Sequence, residues 1–295
     1  MQTGIYFLSL QLNGACCFTQ DSQLRLCDEK GRHRKWTIIL GDNATGKTTL
    51  LRILAGFNMQ EDIEDDKTYY YPTGIPLSTR DFSRFLETED LQKRHRVELK
   101  VSKAKEPVVS LQMVGYYTMG GSAKYGPVFA QLQCYGYGAN RMMSETTLTA
   151  SENLTENSRT LYLDNEALFN AEEWLLQLDY SASVKSSIQL YARKVRDKVK
   201  QMLIDLLPGV TDIRFTPPFE NKLLPGVEFQ TSLGWVSIWN LSLGYRTMLA
   251  WVVDLANRLY ERYKDSPDPL AEPAIVLVDE IDLHLHPRWQ REIFD

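Results

Sequence analysis

Apolar and polar positions alternate near the start of the chain, a spacing that is typical of strands with one buried face. Residues 6–12 partly follow this pattern, Asn13 and Gly14 predict a turn, and apolar positions resume at Leu24 and Leu26. The chain is therefore predicted to begin with β-strands.

Two continuous apolar runs predict short strands inside the protein. The first spans residues 36–40 and precedes a glycine-rich turn, after which residues 48–56 predict a helix that ends at Gly56. The second spans residues 274–278 and follows a proline-rich linker.

The middle of the chain is less regular. An acidic stretch followed by a basic, polar segment makes residues 57–109 look like an insertion, and residues 127–137 return to strand-like character. A long helical region begins at Asn170, which has capping-box spacing with Glu173. Strand-like segments then precede a helix that is predicted to begin at Ser242.

Composition narrows the class of protein. The 295 residues are 43% hydrophobic and 24% charged with a net charge of −5, so any contact with nucleic acid needs a local basic face. The cysteines form no C-x-x-C pair and no His/Cys cluster has zinc spacing; they are Cys16, Cys17, Cys27 and Cys134. Because no leader and no apolar run of spanning length occur, we expect a cytoplasmic protein with reduced cysteines and no membrane contact.

Residues 41–48 match G-x-x-x-x-G-K-[ST], the pattern of a phosphate-binding loop. Backbone N–H groups of such a loop form a concave nest, and the following helix directs the positive end of its dipole at the phosphates. In this pattern Lys47 contacts the β- and γ-phosphates of ATP, and the Thr48 hydroxyl ligates Mg²⁺. The predicted nucleotide-binding residues are Gly41, Asp42, Asn43, Ala44, Thr45, Gly46, Lys47, Thr48 and Thr49.

The second apolar run ends in two acids, Asp279 and Glu280. Carboxylates at the end of a buried strand destabilise the protein unless a cation neutralises them. Asp279 is therefore predicted to join Thr48 as a Mg²⁺ ligand. Glu280 is predicted to orient and polarise the attacking water. Glu280 and Lys47 are the two predicted catalytic residues. Alone the two acids are a weak signal, and the phosphate loop earlier in the chain makes the signal strong.

Residues 241–246, with the sequence LSLGYR, begin the long helix that precedes Asp279. A serine that caps a helix N-terminus offers its hydroxyl, and the helix its N–H groups, to an anionic phosphate. The motif resembles the L-S-G-G-Q signature of ABC ATPases, in the L-S-x-G-[YE] form of RecF-, SMC- and Rad50-like heads. This resemblance implies that Ser242 and Gly244 contact the γ-phosphate of ATP bound to a second subunit.

The next residues, 281–287, place Asp282, His284 and His286 alternately, as on one face of an extended segment. The run is similar to the D-E-x-D-x-x-L-H-P segment of bacterial ATPases related to RecF and to overcoming-lysogenization-defect proteins. That resemblance implies a position at the dimer interface for His286. A separate metal site made by these residues is the alternative.

Taken together, the motifs resemble the ATPase subunit of Septu-type antiphage systems and related retron-associated ATPases. Residues 137–141 are similar to their Y-G-x-x-R segment, and residues 172–176 and 241–255 to further segments. The resemblance implies an α/β ABC ATPase head, a P-loop NTPase sheet with N-terminal antiparallel strands and inserted, partly helical lobes. It implies ATP and Mg²⁺ as cofactors, and closure around ATP as a homodimer or a higher even-numbered oligomer. The implied organisation is an ATPase core at residues 1–56, 110–145 and 236–295, an insertion at 57–109 and a mostly helical lobe at 146–235.

The chain departs from the family pattern at the phosphate loop and at its C-terminus. Ala44 stands where many relatives have glycine, which the nest tolerates if this residue keeps a negative φ. The resemblance also implies a glutamine that contacts Mg²⁺, for which Gln131 and Gln133 are candidates. The family places a switch histidine after the next strand, and the overcoming-lysogenization-defect proteins add a Toprim nuclease domain. We expect more sequence after residue 295, and the sequence does not say which of these it contains.

Two basic clusters, near residues 93–105 and 193–200, are candidate nucleic-acid contacts. A solvated helix face is the ordinary explanation, and contact with a phosphate backbone is the alternative. The resemblance favours a defence ATPase that controls an effector protein such as a nuclease. One alternative is the ATPase head of a DNA-repair or chromosome-maintenance protein. Another, from a different class, is the nucleotide-binding subunit of a membrane transporter. Neighbouring genes would distinguish them.

Overall fold

The computed structural model describes most of the chain. The described residues are 4–13, 17–18, 20–64, 67–72, 96–103, 109–114, 117–118, 128, 131–145, 157–218, 224–285 and 290. The chain divides into two compact units: the first comprises residues 1–139, 155–164 and 266–279, and the second residues 140–154, 165–265 and 280–295. No helix in the described ranges is both long and apolar enough to span a membrane.

The first unit contains an antiparallel sheet that begins with the predicted N-terminal strands. The first seven strands of the unit are β1 (Ile5–Asn13), β2 (Ser22–Arg25), β3 (Met59–Glu64), β4 (Lys67–Pro72), β5 (Arg96–Lys103), β6 (Val109–Val114) and β7 (Tyr117–Thr118). Five of them pair in the order β2-β1-β5-β6-β7, and β3 pairs with β4. Because β5 pairs with β1, the range predicted to be an insertion contributes a strand to this sheet.

A parallel strand pair and two helices complete the described part of the first unit. The elements are α1 (Lys47–Ala55), β8 (Cys134–Tyr137), α2 (Arg159–Tyr162) and, near the C-terminus, β12 (Ile275–Val278). β12 pairs with β8 in parallel, with Ile275 opposite Cys134 and Val278 opposite Tyr137. Apolar side chains from β1, β5, α1, β8 and β12 form one core, which includes Phe7, Leu10, Ile53, Leu54, Leu99, Cys134 and Leu277. This core fixes the start of α1 relative to the end of β12.

The strand predicted at residues 36–40 is wrong. These residues form no strand, and Trp36, Ile38 and Leu40 are 71%, 52% and 88% exposed. An extended segment becomes a strand only when a neighbour takes up its backbone hydrogen bonds. Within the described residues β12 pairs with β8, and no strand pairs with this segment.

The second unit combines three helices with a small antiparallel sheet. Its elements are α3 (Ala171–Ser183), α4 (Gln189–Leu206), β9 (Asp212–Thr216), β10 (Gly226–Thr231), β11 (Gly234–Ser237) and α5 (Leu243–Arg262), and the strands pair in the order β11-β10-β9. The predicted cap of α3 is confirmed, because the Asn170 side chain accepts a hydrogen bond from the Glu173 N–H at 3.2 Å. A 3₁₀ turn (Ile238–Asn240) leads from β11 to Ser242, the N-cap residue of α5.

Candidate functional site

The glycine-rich loop runs directly into α1, as its sequence predicts. Gly46 is the N-cap residue of this helix at φ 93°, and no side chain caps the helix N-terminus. A Cβ at Gly46 would lie 2.6 Å from Cys17 Sγ and 2.9 Å from Phe18 Cζ, so only glycine fits here. The first N–H groups of α1 therefore have no side-chain acceptor, which is the condition for binding an anion.

Lys47 folds back over the loop. Its Nζ donates hydrogen bonds to the carbonyl oxygens of Gly41 and Asp42, at 2.6 Å and 2.8 Å. The Thr45 hydroxyl donates to the same Asp42 oxygen at 2.8 Å. Asn43 is exposed with the rest of the loop up to Thr45, whereas Thr49 is half-buried in the first turns of α1. The Lys47 ammonium group thus rests on two loop carbonyls, which are weaker acceptors than phosphate oxygens.

Ala44 does not keep the negative φ that the sequence interpretation required. Its φ is 64°, in the left-handed region. Alternating backbone conformations of this kind turn successive N–H groups toward one point and so form an anion nest. The left-handed torsion at Ala44 is therefore compatible with a nest, at the expense of strain at a residue that carries a side chain.

Thr48 and Asp279 meet across the first unit. The Thr48 hydroxyl donates a hydrogen bond to Asp279 Oδ2 at 2.6 Å. Asp279 is 6% exposed, and its N–H donates to the Tyr137 carbonyl at 2.8 Å, which extends the ladder between β8 and β12 by one residue. A hydroxyl and a carboxylate at this separation are the oxygen donors that Mg²⁺ prefers, so the residues fit the predicted ion.

Glu280 follows Asp279 directly and has an exposed side chain. Its backbone lies at φ 44°, and its carbonyl oxygen accepts a hydrogen bond from Arg141 Nη2 at 3.0 Å. Arg141 is only 1% exposed. The sequence analysis missed this residue as a positioning group, although it ends the Y-G-x-x-R segment and a buried arginine requires a specific acceptor.

In the described residues 281–285, turns replace the extended segment that the sequence predicts. Leu283 N–H donates to the Glu280 carbonyl at 2.9 Å, and Leu285 N–H to the Asp282 carbonyl at 3.1 Å. These local bonds curl the chain, so Asp282 and His284 do not alternate along one strand face. Among the described residues no group of three His, Cys, Asp or Glu side chains is arranged to bind a metal. His286 lies outside the described residues.

Ser242 and Gly244 begin α5 at the predicted position. Ser242 is exposed and is the N-cap residue, but its side chain makes no capping hydrogen bond. Gly244 is buried, and a Cβ there would lie 2.5 Å from the His284 carbonyl oxygen. Gly244 thus permits α5 to pack against the turn that follows the two acids, and Ser242 is exposed.

Backbone strain coincides with the predicted motifs. In the ranges that the structure describes, the non-glycine residues with positive φ are Ala44, Glu280 and His284. Strained torsions of this kind each cost about 1–3 kcal/mol and tend to occur where function requires them. All three lie in the phosphate loop or in the run that starts with Asp279, which supports a functional role for both segments.

Gln131 and Gln133 are not brought to this site. Both precede β8, and the Gln133 carbonyl accepts a hydrogen bond from the Ile275 N–H at 2.7 Å. Asp279 follows the other end of the same parallel pair, and four strand residues span about 13 Å. The two glutamines therefore lie at the opposite end of the strands from Thr48 and Asp279.

The basic cluster at residues 193–200 lies on α4 and is paired with nearby acceptors. Arg193 Nε donates to the Ala182 carbonyl at 2.9 Å, Arg196 forms an ion pair with Asp179 at 2.9 Å, and Lys200 with Asp212 at 2.7 Å. These contacts favour the ordinary explanation, a solvated helix face. In the other cluster, residues 96–103 form β5 and the flanking lysines lie outside the described residues.

The described cysteines, Cys17, Cys27 and Cys134, are free thiols, as predicted. Burial raises the pKa of the Cys134 thiol to about 12, so it stays protonated in the core. Cys17 is exposed beside Gly46.

Residues 153–295 match a protein family described as "AAA domain, putative AbiEii toxin, Type IV TA system". The Septu protein PtuA of Bacillus mycoides (strain KBAB4) is 24% identical over 272 residues, which are 90% of this chain and 32% of that protein. The Retron Ec83 probable ATPase of Escherichia coli is 50% identical over 100 residues, 34% of this chain and 18% of that protein. The Retron Vc95 probable ATPase of Vibrio cholerae serotype O1 biovar El Tor is 52% identical over 58 residues, 20% of this chain and 11% of that protein.

The chain spans about a third or less of the length of these curated relatives. One solved structure, the SmcHead bound to the C-winged helix domain of ScpA, aligns with 95% of this chain and 91% of that chain at 14% identity and a TM-score of 0.36. The sequence matches confirm the predicted resemblance to ATPases of the Septu and retron kind.

Proposed function

We propose that this chain binds ATP with Mg²⁺ and hydrolyses it between two copies of itself. The observation that carries the proposal is the 2.6 Å hydrogen bond between Thr48 Oγ1 and Asp279 Oδ2, which joins the phosphate loop to the end of β12. The uncapped start of α1 behind Gly46 supports it further. So do the matches to an AAA domain family and to proteins named as probable ATPases.

Each residue of the proposed site has a chemical task. The Lys47 ammonium exchanges two loop carbonyls for phosphate oxygens, because full negative charges are the stronger acceptors. Thr48 and Asp279 ligate Mg²⁺, which when bound neutralises charge on the phosphate oxygens. Glu280 orients the attacking water and polarises it for attack on the terminal phosphorus.

The second copy completes the site through its signature motif. The Ser242 hydroxyl is exposed and is not used to cap α5, so it and the first N–H groups of the helix are available to a phosphate. When hydrolysis removes the γ-phosphate, this contact is lost and the closed dimer loosens. The nucleotide thereby biases a two-state equilibrium between open and closed dimers.

The variant Glu280→Gln tests the catalytic assignment. We expect ATP binding to remain, turnover to fall at least about a hundredfold, and a closed dimer to accumulate, because the water loses its base. Turnover by phosphate release and dimer mass by light scattering give the two readouts. Unchanged turnover would show that the role given to Glu280 is wrong.

The variant Ser242→Arg tests contact in trans. A bulky cation at the N-terminus of α5 blocks approach to the other copy, while the phosphate loop is unaltered. We expect binding of a fluorescent ATP analogue to persist and ATP-driven dimerisation of the Glu280→Gln protein to disappear. Equal dimerisation with and without Ser242→Arg would remove the shared-site arrangement.

We propose in addition that this ATPase cycle controls an effector, such as a nuclease, in antiphage defence. The similarity to a Septu protein and to two retron ATPases supports this role. Plaque counts on cells that carry the complete gene neighbourhood test it, with Lys47→Ala as the nucleotide-free variant. Protection that survives Lys47→Ala would separate the defence role from the nucleotide cycle.

A further inference from the structure

The turn that carries Ser242 is connected to α3 through one carboxylate. Glu172 lies in the first turn of α3; its Oε1 accepts a hydrogen bond from the Val227 N–H of β10 at 3.0 Å, and its Oε2 accepts one from Trp239 Nε1. Trp239 is three residues before Ser242, in the 3₁₀ turn. A carboxylate that accepts two N–H groups forms strong, directional bonds, so Glu172 restrains this turn relative to α3 and β10.

A second hydrogen bond restrains the other side of the same serine. Tyr245, three residues after Ser242, donates its hydroxyl to the Pro208 carbonyl at 2.6 Å, just beyond the end of α4. Burial raises the pKa of the Tyr245 hydroxyl, which keeps it a protonated donor. Ile238 and Leu241, on either side of Trp239 and Asn240, are 0% and 7% exposed, so their burial also holds the turn in place. All of these contacts lie within the second unit.

Ser242 itself makes no capping hydrogen bond. Its carbonyl oxygen accepts the Arg246 N–H at 3.1 Å within α5, so beyond this helical bond the bonds on either side, at Trp239 and Tyr245, restrain its position. We propose that Glu172 and Tyr245 are positioning residues that place the signature serine for contact with the terminal phosphate of the other copy's ATP. This inference rests on the proposed function.

The variants Glu172→Gln and Tyr245→Phe test the inference. The Val227 and Trp239 N–H groups contact different oxygens of Glu172, so a carboxamide turns an NH₂ donor toward one of them, and phenylalanine removes the Tyr245 donor. We expect each variant to lower turnover by about tenfold to a hundredfold, as misplacement of a contact group does. The affinity of the monomer for a fluorescent ATP analogue stays unchanged, because the phosphate loop belongs to the other unit. Glu173→Gln is the matched control, since it removes the same charge from the same helix turn, where Glu173 Oε1 accepts a hydrogen bond from Gln177 Nε2 of α3 at 3.4 Å.

Combination with Ser242→Ala separates positioning from a general effect on folding. If Glu172 acts through Ser242, Glu172→Gln causes no further loss of turnover or of ATP-driven dimerisation in the Ser242→Ala background. Trp239→Phe, which keeps the packing and removes the indole donor, reproduces the Glu172→Gln result if the latter protein folds poorly. An equal loss in both backgrounds, or a Glu172→Gln protein as active as Glu173→Gln, would overturn the positioning role. Normal turnover and dimerisation of Ser242→Ala alone would overturn the proposed shared site, and this inference with it.

Discussion

Ala44 has a left-handed backbone at φ 64°, inside the phosphate-binding loop that the sequence pattern predicts. The pattern G-x-x-x-x-G-K-[ST] prescribes its glycines and leaves this position open, so it does not reveal the torsion. An alanine in this region is about 1–2 kcal/mol less stable than in the right-handed region. The backbone strain at Ala44 thus lies in the loop that is predicted to form a nest for phosphate.

Ala44→Gly is expected to raise the free energy of unfolding by about 1 kcal/mol, because glycine adopts positive φ without a clash. Urea denaturation measures the change. Ala192→Gly, in the interior of α4, is the matched control and is expected to lower the same free energy by about 1 kcal/mol or more. A destabilised Ala44→Gly protein would contradict the left-handed torsion.

The helix elements were predicted more reliably than their buried faces. In the sequence, the helical spacing of Ile188, Tyr191, Val195, Val199, Met202 and Leu206 predicts a helix as far as Pro208, and α4 confirms the helix. Its buried stripe, however, is Ala192, Val195, Val199 and Leu203. The predicted and observed stripes share Val195 and Val199 and differ at their other positions, and only the neighbours of α4 decide which side of this shared line faces inward.

Gly138 shows how closely elements of the first unit approach. A Cβ at this position would overlap the Thr160 carbonyl oxygen of α2, which is backbone and has little freedom to move. We expect Gly138→Ala to lower the free energy of unfolding by about 3 kcal/mol, the upper end of the range for overpacking. Thermal unfolding checks it.

Gly56→Ala is the control for this substitution. Gly56 has φ −64°, and the nearest atoms to a Cβ there are 3.4 Å away. We therefore expect a change within about 0.5 kcal/mol, as for substitutions that disturb no such feature. Equal effects of the two substitutions would mean that β8 and α2 are farther apart than described.

At the scale of the whole molecule, the negative net charge means that a polyanion needs a local basic face to bind. The net charge is −5, and Arg196 of the basic cluster contacts Asp179 and Asp197. We expect Arg196→Gln to lower the free energy of unfolding by about 0.5–1 kcal/mol, as for partly exposed ion pairs, and to leave affinity for duplex DNA unchanged.

Fluorescence anisotropy at two salt concentrations and urea denaturation give the two readouts. Lys185→Gln, an exposed lysine between α3 and α4, is the control for loss of one positive charge. A drop in DNA affinity for Arg196→Gln alone, with stability retained, would restore the nucleic-acid hypothesis for this face.

The local motifs were determined by the sequence alone. The phosphate loop, the strand that precedes Asp279 and the helix that follows Ser242 each depend on residues close together in the chain, so their spacing is sufficient to predict them. Long-range pairing was decided only by the tertiary structure. It gave β12 the neighbour β8 and left residues 36–40 without a strand partner, since a backbone ladder needs a second chain segment that no local pattern specifies. It also brought Arg141 to Glu280, and Glu172 to Trp239, which are separated in the sequence by 139 and 67 positions.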